Sequence, residues 1–528
     1  MFIDQRVQCF HVENEEFTMR FKSLSDSSYL QISHEVHEGV DVLSFQTREH
    51  QVFVRGLAST IHVDHSFEHL EFHLPSSSDQ SAFVFGQQDG SLIVNSLIDG
   101  ALHFHRTLNL REISVLGSDG EDTLVFDNLN LPSVTAHYFS VGEAKDIVRI
   151  IQAAGELRLL GNEFNGPVTT CGVFVCTGDV SIDGQIDCTA APPNNFDLET
   201  TGGNIDLEDG LTIDATENIR LYAYIDDEDS TTRPAIVNRG TVAITAGTSL
   251  EITALHEKTD EDGFVISVRD GGAKVFTADT ILIEGYGRNG INIRDGSFIG
   301  ATSITLNGYT SANNGVNLPS QNTPVFDTPR LTILGVASCA GVNRPDICDT
   351  NTLAGLEGIQ IADGDFSSVG SISLSGIGRQ NGIDIRIPLD LSSADTVTMY
   401  GECVETIDDT CRGVRVVDGL TGSGTTVLNL NAYGETTQQR HGVLLNGIIS
   451  DMGDVVVNVE CQAVQGLKIG DSFTATSLTV TVDMTACIDC TAVVIDAEVN
   501  VSGNVDITTQ GPLAGVIISR DDSEATTF

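Results

Sequence analysis

The sequence predicts an all-β chain, folded as a right-handed parallel β-helix (a β-solenoid) with coils of about 24–31 residues. Three observations carry this expectation. A short cassette returns through the second half of the chain: a small residue, alternating aliphatics, then Asp-Gly or a close variant. It reads Gly-Ile-Asn-Ile-Arg-Asp-Gly from Gly290 to Gly296 and Gly-Ile-Gln-Ile-Ala-Asp-Gly from Gly358 to Gly364, and weaker copies begin at Pro234, Val265, Gly315, Gly382, Gly413, Gly442, Gly466, Ala492 and Gly515. Each cassette is followed by a second alternating run, such as Ser303 to Leu306, Ser371 to Leu374, Val455 to Val459 and Leu478 to Val482. Too few residues separate the two runs for a crossover helix. A tandem immunoglobulin-like array would need a unit of about 100 residues, several times longer than this one.

Taken in order, residues 1–140 lack the cassette but are strand-rich and His-rich, as in Gln51 to Arg55 and Ser91 to Asn95. They are expected to form either an extension of the solenoid or a small β domain. Residues 141–160 carry two readings. Ser140-Val141-Gly142-Glu143 with Ile147, Ile150, Ile151 and Ala154 has the capping box and stripe of a short helix, and the same stretch also reads as two strands. Residues 155–520 form the parallel β-helix. Alternation places Ile291 and Ile293 inward and Asn292 and Arg294 toward solvent, while Gly and Asn at the corners supply positive φ for sharp bends. The step from Gly315 to Gly358 requires an inserted loop. Residues 521–528 are expected to be an acidic flexible tail.

Composition narrows the function. The chain has 27 Lys+Arg against 74 Asp+Glu, a formal net charge of −47, with the acidic residues spread along its length. That excludes a nucleic-acid partner, which needs a basic footprint, and disfavours an anionic membrane surface. No run of about 20 apolar residues is present, so no membrane-spanning helix is expected. Met1 to Phe10 lacks a basic-then-apolar signal sequence. Eleven cysteines nevertheless point to an oxidising compartment. Near neighbours are Cys171 with Cys176, Cys339 with Cys348, Cys403 with Cys411 and Cys487 with Cys490, while repeat spacing offers the rival pairing of Cys461 with Cys487. An extracellular or cell-surface location is expected, with the chain a segment of a longer protein or exported by an unusual route.

Two metal sites are suggested. Eleven of the 13 histidines lie in the first 140 residues. His69, Glu71 and His73 alternate with apolar residues, as do His103 and His105. Stacked strands would gather them into a His/Glu stripe able to bind a transition metal, or simply into a solvated face. Gly117-Ser118-Asp119-Gly120-Glu121-Asp122-Thr123-Leu124-Val125 resembles the RTX nonapeptide, which implies Ca²⁺ at Asp119 and Asp122. Such sites need tandem copies, and the sequence supplies half a site; a turn that opens a strand is the alternative.

No catalytic residues are assigned. Pectin-cleaving hydrolases on β-helices carry Asn-Thr-Asp, Asp-Asp, Gly-His-Gly and Arg-Ile-Lys on successive coils. This chain has Asp408-Asp409 and Arg440-His441-Gly442 but neither Asn-Thr-Asp nor Arg-Ile-Lys. Its five lysines do not sit with an arginine and an acidic cluster at the repeat spacing a lyase would use.

The Gly-x-Ile-x-Leu-x-Gly style of the repeats resembles that of filamentous-haemagglutinin-type and autotransporter-passenger β-helices over residues ~155–520. It departs from them in its many cysteines. The resemblance implies an exported, adhesin-like or structural surface protein. Its loops would bind glycans or surface proteins, with lateral or end-to-end self-assembly. Alternatives are a polysaccharide lyase or glycoside hydrolase, and a Ca²⁺-binding extracellular matrix protein.

Overall fold

A computed structural model of the chain describes every residue except 1, 4–6, 12–15, 22–28, 38–39, 47–50, 56–59, 74–80, 89–90, 97–99, 107–109, 117–121, 128, 140–145, 151–152, 161–162, 166–171, 178, 183–184, 190–193, 226–233, 239, 258–260, 267–271, 311, 338–356, 405–411, 435–440, 462–463, 485–489, 512–514, 520–524 and 528. Among the described residues every regular element is a β-strand, and the strands stack as a parallel β-solenoid of about 10 turns. No helix among them is long and apolar enough to cross a membrane. The chain divides into two compact units, Met1–Ala223 and Tyr224–Phe528.

The second unit contains the cassettes. Each begins a short strand that pairs in parallel with its equivalent one coil on. Equivalent inward positions run Ile236, Phe264, Ile291, Val316, Ile359, Ile383, Val414, Val443, Leu467, Val493 and Val516. Successive coils therefore take 23–31 residues, apart from the 43 between Val316 and Ile359. This register moves two expected cassette starts. Gly263, not Val265, is equivalent to Gly290, and Ala235, not Pro234, is equivalent to Gly263. The shift from Val265 is a slip of two residues, which keeps the in/out alternation intact and so escapes hydrophobic patterning; the shift from Pro234 is a slip of one.

The second run of each coil is a longer strand. Lys274–Tyr286, Ser297–Tyr309, Val325–Val336 and Asp365–Gly378 pair in parallel in that order. Thr396–Cys403, Val427–Gly434, Ile448–Cys461, Phe473–Asp483 and Val505–Gln510 continue the ladder. Inward positions repeat one chemistry at every coil. Ile281, Ile304, Leu331, Ile372, Val397, Leu428, Val455 and Leu478 form one buried column. Phe276, Phe298, Phe326 and Phe366 form another, with rings stacked at 5.1, 5.4 and 5.3 Å between centroids. Parallel stacking puts like residues about 4.8 Å apart, which suits flat rings and branched aliphatics.

The cassette glycines divide into two roles. The Asp-Gly glycines bend the chain: Gly296 has φ 112° and Gly419 φ 137°. The cassette-opening glycines have no positive φ; they are small because two main chains meet there. A Cβ on Gly335 would lie 2.0 Å from the Gly358 carbonyl oxygen, and one on Gly358 would lie 2.4 Å from the Ile377 nitrogen. The expectation that corner Asn residues supply positive φ is corrected: the one non-glycine residue with positive φ among those described is Asp451. The corner Asn residues instead form a side-chain ladder, described below.

In the first unit, Tyr29–His37, His69–His73, Glu112–Leu116, Leu129–Phe139, Ala153–Leu160, Gly172–Thr177 and Phe196–Thr201 pair in parallel in that order. The early coils are long, with Tyr29 opposite His69 and His69 opposite Glu112, because antiparallel strands are inserted into them. Val40–Gln46 folds back on Tyr29–His37, and Ser91–Ser96 pairs antiparallel with both Ser81–Gln88 and Gly100–Arg106. Such insertions leave no place for a cassette of fixed period. Asp146–Ile150 and Ala153–Leu160 are strands, so this stretch takes the second of its two sequence readings. At the other end, Ala525–Thr527 pairs antiparallel with Val516–Ser519, inside the segment expected to be a flexible tail.

Candidate functional site

The outer face of the first unit holds part of the expected His/Glu stripe. In His69–His73 the residues alternate, with Leu70 and Phe72 buried and His69, Glu71 and His73 half-exposed. Parallel register sets Tyr29, His69 and Glu112 side by side on neighbouring strands. His69 Nδ1 lies 3.0 Å from a Glu112 carboxylate oxygen, and His73 Nε2 pairs with Glu71. The Tyr29 ring tilts against His69 at 5.2 Å, and its hydroxyl donates to Glu71. Burial, then the Glu71 carboxylate, pushes the Tyr29 phenol well above its usual range. The imidazoles are thus engaged by carboxylates along the sheet. Among the described residues, no group of three or more His, Cys, Asp or Glu gathers closely enough to hold a metal ion. His103 and His105 belong to the strand Gly100–Arg106, where His103 is in register with His62; their side chains lie outside the described residues. The same is true of Asp119 and of the side chain of Asp122, whose backbone opens Asp122–Asp127.

The second unit carries a longer polar construction that sequence reasoning did not find. The residue before each cassette glycine sits at a corner, and these residues stack: Asp262, Asn289, Asn314, Glu357 and Asn381, all buried. Each of the first three accepts the backbone N–H of the next. Asp262 accepts from Asn289 N at 3.1 Å, Asn289 from Asn314 N at 3.3 Å and Asn314 from Glu357 N at 3.3 Å. Side chains thereby satisfy main-chain donors at corners where strand pairing stops. The outward cassette positions join this ladder. Asn292 donates to Asp262 at 2.7 Å and so is buried rather than solvent-facing as expected. With its amide turned to suit its neighbours, Gln360 donates to Asn317 at 2.9 Å and accepts from Arg386 at 2.9 and 3.0 Å.

Two buried carboxylates from adjacent coils end this row. Asp384 accepts from Arg386 Nε at 2.6 Å and from Arg415 at 3.4 Å, and Glu357 accepts from Arg386 at 3.2 Å and Asn381 at 3.5 Å. Burial raises the Glu357 pKa, the neighbouring Asp384 charge raises it further, and Arg386 opposes both. A pair of acids on adjacent coils is what a glycoside-cleaving site would use, but Asp384 is 0 % and Glu357 2 % exposed. Their chemistry is spent on holding Arg386 and Arg415.

An open groove lies further along the second unit, on the outer face of the long-strand ladder. Tyr400, Asn431, Asn458 and Thr481 follow one another on successive strands, as do Glu402, Tyr433, Glu460 and Asp483 two residues along. Apart from Glu402, the residues of these two columns, about 7 Å apart with steps of about 4.8 Å, line a cavity of about 270 Å³. Tyr400 is 37 % exposed and its hydroxyl donates to Glu402 at 3.2 Å. Partial burial, then the Glu402 carboxylate, pushes the Tyr400 phenol up to about 12. Asn458 donates to Asn431 at 3.0 Å, fixing both amides along the floor.

No disulfide has both cysteines among the described residues; Cys188, Cys403 and Cys490 are disulfide-bonded, and the expected pairings lie outside what is described. Asp408 and Asp409 also lie outside it, while His441 is buried at the start of its cassette strand. No protein-family model matches the chain, no curated protein matches it, and no solved structure matches it.

Proposed function

We propose that the chain is an extracellular or cell-surface binding scaffold, adhesin-like in action, with no catalytic turnover of its own. The observation that carries this reading is the contrast between the two sides of each coil. Inward columns keep one chemistry from coil to coil, whereas the outward columns change residue at almost every step. Tyr400, Asn431, Asn458 and Thr481 form one such series, and Glu402, Tyr433, Glu460 and Asp483 another. A scaffold that separates a uniform core from a variable surface suits recognition along its strand faces as well as through loops. The sealed Glu357 and Asp384 favour binding over cleavage, since a general acid must reach its substrate.

The test is a panel of immobilised neutral, acidic and amino-sugar glycans and matrix proteins presented to the full chain, with parallel assays for reducing ends and unsaturated products. Retention on one or more ligands without product release supports the proposal. Product release that disappears in Glu357→Gln or Asp384→Asn would overturn it.

A further inference from the structure

We infer that the outer face of the long-strand sheet in the second unit binds a neutral polysaccharide, laid against two uncharged columns that run into the Tyr400 groove. The inference rests on the binding-scaffold reading and gives it a surface and a ligand class. Two adjacent outward columns cross seven consecutive strands of this ladder. One runs Thr305, Thr332, Ser373, Thr398, Asn429, Val456 and Thr479, and the other Asn307, Leu334, Ser375, Tyr400, Asn431, Asn458 and Thr481. All fourteen are exposed or half-buried, and none is charged. Charged side chains make up 19 % of the chain and concentrate on outer faces, so their exclusion from these columns is a property of this surface. Glu284, in register with Asn307, and Asp506, in register with Thr479, bound it at its two ends. Seven strands at steps of about 4.8 Å make it roughly 30 Å long.

The chemistry of the columns restricts the ligand. Ser, Thr and Asn side chains each donate and accept, which matches the hydroxyl groups of a sugar. The hydroxyls of Thr332, Ser373 and Thr398, on adjacent strands, bond to no other group among the described residues. The bond from Asn458 to Asn431 leaves the Asn431 N–H group and the Asn458 carbonyl oxygen for a ligand. Tyr400, 37 % exposed and held by its bond to Glu402, offers a fixed ring face against which a pyranose can pack. A charged polymer would find no opposite charge on these fourteen residues. A protein partner would want aromatic and Arg anchors around an apolar centre. These columns hold one aromatic residue, no Arg, and two separated aliphatics, Leu334 and Val456.

Calorimetry on the full chain tests this with four neutral hexasaccharides, cellohexaose, laminarihexaose, mannohexaose and maltohexaose, and two charged ones, hexagalacturonate and a glucosamine hexamer. At least one neutral hexamer should bind at about 1 mM or below, with the same affinity at low salt and in about 1 M salt. Neither charged hexamer should bind in 1 M salt, where long-range attraction is screened. Thr398→Lys, Asn431→Glu and Tyr400→Ala should each weaken the neutral ligand about tenfold, while Tyr400→Phe should keep the affinity. Circular dichroism checks that each variant folds, and Thr398→Val, which keeps the shape but removes the hydroxyl, should weaken binding in the same direction. Lys468→Ala, on the cassette sheet, should change nothing. The assignment is overturned if no neutral hexamer binds at about 1 mM, or if a charged hexamer matches the neutral ones in 1 M salt. It is also overturned if the neutral ligand binds Thr398→Lys, Asn431→Glu and Tyr400→Ala like wild type. Ligands retained in the wider panel but indifferent to these variants would remove this face and leave the scaffold standing.

Discussion

Replacing Gly358 by alanine separates two reasons a coil can demand glycine. Its φ is ordinary, so alanine there should gain about 0.4–1 kcal/mol by restricting the unfolded chain. Space opposes this. The new Cβ would lie 2.4 Å from Ile377 N, 2.6 Å from Gly382 O and 2.7 Å from Gly335 O, all main-chain atoms. Carbon contacts are comfortable near ~3.5–4.0 Å, so strands must separate by roughly 1 Å. Overpacking of this kind costs about 1–3 kcal/mol, and each ladder hydrogen bond weakened by the separation adds a fraction of its ~0.5–1.5 kcal/mol. The net expectation is a loss of about 3 kcal/mol. Gly424→Ala is the counterpart: φ is +81° and nothing lies within 4 Å. Only the left-handed backbone matters there, for about 1–2 kcal/mol. Urea unfolding followed by circular dichroism ranks the two variants, and hydrogen exchange at Ile359 and Ile383 reports whether neighbouring strands open. If Gly358→Ala proves the milder substitution, close approach is not what the cassette glycine provides.

Further outcomes follow from the core and the sealed polar row. Phe326→Ala, in the middle of the ring stack, should lose about 3–5 kcal/mol in urea unfolding, whereas Phe326→Leu should lose less than half of that; equal losses would show that stacking volume is unimportant. Arg386→Met leaves Asp384 and Glu357 buried with less compensation and should cost about 3 kcal/mol, part of which returns when Glu357→Gln is added; no recovery in the double variant would argue against the pairing. Glu357 binds its proton more tightly folded than unfolded, because burial and Asp384 raise its pKa. Its contribution to stability is therefore full below the unfolded value, near 4.5, and is lost as pH rises through the folded value. Urea midpoints measured from pH 4 upward should fall in wild type relative to Glu357→Gln, and parallel curves would refute the raised pKa.

The solenoid was legible because its repeat is local. Ile291, Ile293 and Ile304 announce their inward columns by alternation, and the Gly290 and Gly358 cassettes announce the coil. Two features blurred the reading. Slips by an even number of residues preserve alternation, which hid the equivalence of Gly263 and Gly290 until strand pairing resolved it. Contacts between coils are set by register across variable corners, so neither the Asp262–Asn289–Asn314 ladder nor the ion pairs of Arg386 can be inferred from spacing within one coil. The groove was less legible, because cassette spacing stacks Tyr400 on Asn431, each 18 residues past its cassette glycine, but not on Asn458, which lies 16 past Gly442; strand register is what aligns all three. The His69–Glu71–His73 alternation did predict a shared outer face, but pairing with Glu112 and contact with Tyr29 depended on distant strands.

The long coil between Val316 and Ile359 has a practical consequence. Its strands return to register despite an insertion of some twenty residues at a corner that takes only four in the coil from Gly285 to Gly290. Closing the longer loop adds only about 1.5 kcal/mol of chain entropy, and the neighbouring coils, not the corner, set the pitch. The solenoid thus behaves as a shelf whose brackets are spaced independently of what is hung on them. A foreign segment placed between Ala337 and Glu357 would be displayed at a defined height along the second unit, with the ladders on either side left undisturbed.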